Sequence, residues 1–109
     1  MPYYQSIKAT ALAQLKEAFP ELHQRFGVTT IGLFGSVSRG EDRKSSDINI
    51  LYMFAEDRGD LSDFIGLHEY LELMFHRNVM LVSLEYLDKE MLPSIRRDAC
   101  LFGEKTEYL

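Results

Sequence analysis

Two short runs of β-branched and apolar residues, 28 to 34 and 47 to 54, flank a glycine-serine step and a charged loop, and this arrangement constrains the fold more than any other feature. The first run stops at Gly35-Ser36, as a buried strand entering a tight turn would. Gly35 has no Cβ, so the backbone there can turn sharply and approach a ligand closely. If Ser36 and Val37 open a short helix, their free N–H groups and the Ser36 hydroxyl point at an anion, with Arg39 a cation one turn away. The loop between Gly40 and Ser46 is polar and short, which lets the two strands pair as antiparallel neighbours. Positions 47 and 49, two apart on a strand, project to the same side, towards that phosphate-facing turn. A glycine-serine pair by itself is usually only a turn. The compound pattern is more specific: strand, Gly35-Ser36, Arg39-Gly40, polar loop, then Ser46-Asp47 opening a strand.

The rest of the chain supplies layers for such a sheet. Ile7, Ala11, Leu12, Leu15 and Phe19 recur at helical spacing, and the spacing predicts a helix over residues 4 to 19 that Pro20 interrupts; Leu22 and Phe26 add a turn ending at Gly27. Residues 61 to 76 form a second helix, capped by Asp60 or Ser62, whose apolar stripe is broader than one sheet face requires. Residues 79 to 84 read as a third strand, and one or two short helices surround Pro93. The expected fold is α/β (α+β in its segregation of elements), a small mixed sheet of three or more strands packed by helices, in a single domain spanning residues 1 to 109. The lone Cys100 and the absence of a leader-like or membrane-spanning apolar stretch point to a cytoplasmic protein. A net charge of −5 argues against strong binding to nucleic acid, leaving a small phosphate ligand as the better fit.

Residues GLFGSVSRG (32 to 40) and SSDINIL (45 to 51) resemble the signature of the minimal nucleotidyltransferases, within the DNA polymerase β-like superfamily. The likeness extends from about Phe26 to Gly103. It implies a nucleotidyltransferase fold that transfers a nucleoside monophosphate from a triphosphate such as ATP to a hydroxyl, using magnesium held by three acids. By the same resemblance Gly35, Ser36 and Arg39 hold the nucleotide, and Asp47 is the first metal ligand and the catalytic acid. The second metal position is Asn49, a neutral and weaker ligand, and the third is Met80. A thioether is a poor partner for a hard cation. Losing one negative charge about 4 Å from a divalent ion forfeits on the order of several kcal/mol even at an effective dielectric near 20. The double loss is expected to slow transfer by several orders of magnitude. Met80 also cannot accept the hydroxyl proton. Neither Glu41, Asp42 nor Glu85 is placed to compensate, and Glu56 and Asp57 fall at the far end of the second strand.

Other residues read as structural. His23, His68 and His76 share no metal-ligand spacing, and His68 belongs with the core. Tyr3, Tyr4 and Tyr108 are assigned no role. Three functional readings stay open: a catalytically degenerate binding or regulatory module, an active metal-dependent nucleotidyltransferase, and an antitoxin-like partner of a helical HEPN-domain protein, the last resting on the resemblance. A second copy of the chain is also open as a partner.

Overall fold

The computed structural model describes residues 4–104. The elements are α1 (Lys8–Phe26), β1 (Val28–Phe34), α2 (Ser36–Arg39), β2 (Ile48–Phe54), α3 (Leu61–Phe75), β3 (Val79–Ser83), a 3-10 turn (Lys89–Met91), α4 (Leu92–Asp98) and β4 (Cys100–Gly103). The sheet runs β3-β2-β1-β4, with β1 antiparallel to both its neighbours and β2 parallel to β3. The mixed sheet packed by helices is thus as expected. The parallel pair has α3 as its crossover, the connection that parallel neighbours require.

Every residue of β1 is buried, because it lies between two strands and is covered on both faces. On one face, Ile31, Leu33, Ile48 and Ile50 meet Leu15 and Leu22 of α1 and Leu67 and Leu71 of α3. On the other, Phe34, Leu51 and Met53 meet Ile95 of α4 and Leu84. The second face is the thinner: among the described residues its helical cover is the seven-residue α4 and the 3-10 turn that carries Met91.

Two elements, α1 and β4, differ from the sequence reading. α1 continues through Pro20 to Phe26, where Gly27 closes it in the left-handed region with its N–H bonded to the carbonyls of His23 and Leu22. Pro20 is exposed and forfeits one helical bond, while Leu22 and Phe26, both buried, hold the turns beyond it. Residues 4 to 7 lie outside α1; they run along the loop that follows α2. β4 was not foreseen, since four residues after a short helix carry too little periodicity to mark a strand. His68 also departs from its core assignment: half-buried, it lies 3.0 Å from the carbonyl of Val79 at the edge of β3. Of the broad α3 stripe, Leu67, Leu71 and Phe75 are buried, but Leu61 and Ile65 are exposed. No helix among the described residues is long and apolar enough to cross a membrane.

β4 is tied to β1 by a close backbone approach. Gly32 pairs with Leu101, and a Cβ on Gly32 would stand 2.0 Å from the Cys100 carbonyl oxygen. Gly32→Ala must therefore push β4 off the sheet edge. We expect a loss of about 2 kcal/mol or more, a fall in Tm of roughly 8 °C or more, read by thermal denaturation; an unchanged Tm would show that β4 is not held at this spacing.

Candidate functional site

The turn between β1 and α2 is built on Gly35, whose φ of 79° and ψ of −153° belong to a region open essentially to glycine alone. The space where its Cβ would be is filled: that position lies 2.5 Å from Nδ2 of Asn49. Register explains the contact. Phe34 pairs with Asn49 across β1 and β2, and Asn49 pairs with Met80 across β2 and β3, so the Gly35 turn, the Asn49 amide and the Met80 thioether form a row at one end of the sheet. Met80 is 52% exposed.

α2 opens at Ser36, as the sequence suggested, and runs for only four residues. The half-buried Ser36 makes no side-chain hydrogen bond among the described residues. Arg39 behaves differently from expectation. Instead of standing free beside the turn, its guanidinium donates to Glu41 Oε1 at 2.6 Å and to Asp98 Oδ2 at 2.7 Å. The Asp98 side chain is 3% exposed and also accepts from Arg97 Nε at 3.1 Å. Beside it the Ser38 hydroxyl donates to the Asp98 backbone carbonyl. α2 is thus fastened to the C-terminal end of α4, and its cation is neutralised from within the chain.

Asp47 lies just ahead of β2, exposed, one residue short of the strand that was expected to contain it. It lines an open cleft of about 480 Å³ together with Lys44, Glu72, His76 and Arg77. The loop that carries it is held by residues not foreseen as important. Asp42, in the polar loop that follows Gly40, is nevertheless buried and accepts from the Tyr4 hydroxyl at 2.5 Å, the Ser6 hydroxyl and the Ile7 N–H at 3.2 Å. Arg77 donates to the Tyr4 hydroxyl at 2.5 Å and to the carbonyls of Arg43 and Ser46 at 3.1 and 3.4 Å, with its guanidinium 5.4 Å from the Tyr4 ring centroid. Burial pushes the Asp42 carboxyl up, but the hydrogen bonds from Ser6, Tyr4 and Ile7 outweigh it and leave the group below its ordinary value. Tyr4, Asp42 and Arg77 lie far apart in sequence, so no local motif could have joined them; Tyr3 and Tyr108 lie outside the described residues.

A pair of magnesium ions does not fit this donor set. One carboxylate, Asp47, is accompanied by an amide whose Nδ2 packs over Gly35 and by a thioether, where hard cations need anionic oxygen. Among the described residues no three His, Cys, Asp or Glu side chains gather to hold a metal.

The family described as polymerase β nucleotidyltransferase matches residues 14–107. The chain belongs to that family. Within it, the chain is 42% identical over 78 residues to the protein adenylyltransferase MntA of Thermococcus cleftensis, covering 72% of this chain and 78% of that one. A solved structure presented as a minimal nucleotidyltransferase superposes with a TM-score of 0.70 at 34% identity, over 85% of this chain and 93% of the other. The fold is also that of a chain from the complex of a tri-AMPylated Shewanella oneidensis HEPN toxin with an MNT antitoxin, at a TM-score of 0.63 and 19% identity, over 93% and 76% of the two chains. This member of the family carries Asp47, Asn49 and Met80 at the positions that the sequence resemblance aligned with its acids.

The Asp98 contact predicts a pH dependence. Burial raises its carboxyl, and the bonds from Arg39 and Arg97 more than reverse that, so it titrates below its ordinary value. A group held this way contributes stability that is full above the unfolded pKa, near about 3.9, and is lost as pH falls through the lower folded value. Asp98→Asn is expected to lower Tm at neutral pH and to flatten part of the decline in Tm below a pH of about 4. Melting curves followed by circular dichroism across that range check this; two parallel pH profiles would contradict it.

Proposed function

We propose that this nucleotidyltransferase-family chain has lost nucleoside monophosphate transfer and serves as a binding and regulatory module, with a HEPN-domain protein as its partner. The observation that carries the reading is the row Gly35, Asn49, Met80. The Asn49 amide packs on the turn, and Met80 occupies the register position beside it. On this account Asp47 is the one carboxylate left, enough to share a single magnesium with substrate phosphates but short of the anionic oxygens that two metal ions for transfer require. Ser36 and the Gly35 backbone retain weak affinity for a nucleotide. Arg39 contributes to that affinity only when it leaves Asp98 and Glu41. The partner reading is supported by the fold shared with the MNT antitoxin of the HEPN toxin complex.

A second reading has a specific observation in its favour. The 42% identity to the Thermococcus protein adenylyltransferase supports transfer of AMP by this chain, with Asp47 as the catalytic acid and metal ligand and Asn49 as a weak second ligand.

One assay separates the two. The chain is incubated with α-labelled ATP, magnesium or manganese, and a purified HEPN-domain protein, and label on protein is measured. We expect none from the wild type and a gain of at least about tenfold over background from Asn49→Asp with Met80→Asp, the equivalent of about 1.4 kcal/mol in the barrier. Label transfer by the wild type that Asp47→Ala abolishes would establish the second reading. A metal-independent complex with the HEPN-domain protein, seen by size-exclusion chromatography, is expected under the first; failure to form it would remove the partner.

A further inference from the structure

The end of the sheet opposite Gly35 carries a second concavity. There β2 and β3 finish side by side, and the segments leaving them enclose a hollow of about 520 Å³. Its floor is aromatic: the Tyr52 ring lies 5.1 Å from that of Phe54 and 6.1 Å from that of Phe64, centroid to centroid. Two of the most exposed large apolar side chains stand on its rim, Leu61 at 73% and Tyr86 at 82%. Neither is needed to close the core, whose buried residues lie elsewhere.

The charge of the hollow is one-sided. Glu56, Asp60 and Glu85 line it, and the side chains of Glu56 and Glu85 have no partner among the described residues. Arg58, the one cation lining it among the described residues, is already engaged: the guanidinium donates to Asp63 at 3.1 and 2.8 Å and to the Arg25 carbonyl at 2.7 Å. Free carboxylates above aromatic faces favour a cation, which gains from the ring quadrupoles and from charge-assisted hydrogen bonds together.

We infer that this hollow docks an arginine or lysine side chain of a partner protein. Leu61 and Tyr86 decide for a protein over a small free cation, because an apolar rim is covered only by a surface that extends past the hollow. A second copy of this chain fits poorly. A twofold interface brings a patch against itself, so Glu56 and Glu85 would face their own counterparts in a chain that already carries a net charge of −5. The inference goes beyond the reading of the Asn49 row: it concerns the other end of the sheet and needs no HEPN-domain protein for its test.

The test uses a short fluorescein-labelled peptide with a leucine flanked by two arginines, and a version with both arginines replaced by glutamate, each titrated with the full chain by fluorescence anisotropy. The arginine peptide is expected to bind saturably and the glutamate peptide not at all. Glu56→Lys with Glu85→Lys should weaken binding by about tenfold or more, the scale of an ion pair at a protein surface. Leu61→Ser and Tyr86→Ser should weaken it several-fold. All four positions are exposed, and unchanged melting curves confirm that the variants fold. Equal binding of the two peptides, no binding of either, or affinity indifferent to these substitutions would overturn the inference. A concentration-dependent dimer that Tyr86→Ser dissolves would overturn it in favour of a second copy.

Discussion

The backbone of Gly35 and the side-chain amide of Asn49 compete for the same few ångströms, and the character of the site follows from that contact. The turn needs glycine for its φ of 79° and again for its neighbour, because any Cβ would meet Nδ2 of Asn49. Strand register puts Asn49 there, pairing it with Phe34 on one side and Met80 on the other. An amide can press on a glycine turn without electrostatic cost. A carboxylate in the same place would repel a triphosphate unless a cation lay between them, and on the proposed reading the chemistry of positions 49 and 80 therefore separates a catalytic centre from a scaffold.

Around this contact the chain supplies its own counter-charges. Arg39 is held by Asp98 and Glu41, and the loop ahead of β2 is held by the buried Asp42 and by Arg77. Apart from the local Arg39–Glu41 pair, these ties join segments remote in sequence, so α2 and the loop carrying Asp47 are fixed to α4 and to the N-terminal segment respectively. An arriving anion would have to compete with Asp98 for Arg39. The cation beside the Gly35 turn is in this way satisfied from within the chain, which is consistent with the proposed binding role.

Much of the architecture was legible in sequence because periodicity reports burial. Residues 28 to 34 are wholly buried and form the strand expected, and residues 61 to 75 form the expected helix. The misses share a physical origin in tertiary contact. Pro20 lies in a helix that Leu22 and Phe26 hold together from beyond it, a stabilisation that local propensity does not register. β4 exists because Gly32 admits the Cys100 carbonyl against β1, and four residues have no readable period. Arg39 looked like a phosphate ligand from its distance to Gly35, but its real partner, Asp98, is 59 residues away. The Tyr4, Asp42 and Arg77 cluster left no local signal. Asn49 and Met80, by contrast, are singled out in sequence by the resemblance to the family's motif, and strand register places them side by side.

On the proposed reading, neutral side chains at positions 49 and 80 leave the chain unable to bind a metal-nucleotide complex tightly. Manganese with AMP-PNP is titrated calorimetrically into the wild-type chain and into Asn49→Asp with Met80→Asp. No saturable heat is expected from the wild type at millimolar ligand, and a saturable isotherm from the variant. Saturation of the wild type in the micromolar range, lost on Asp47→Ala, would overturn the reading.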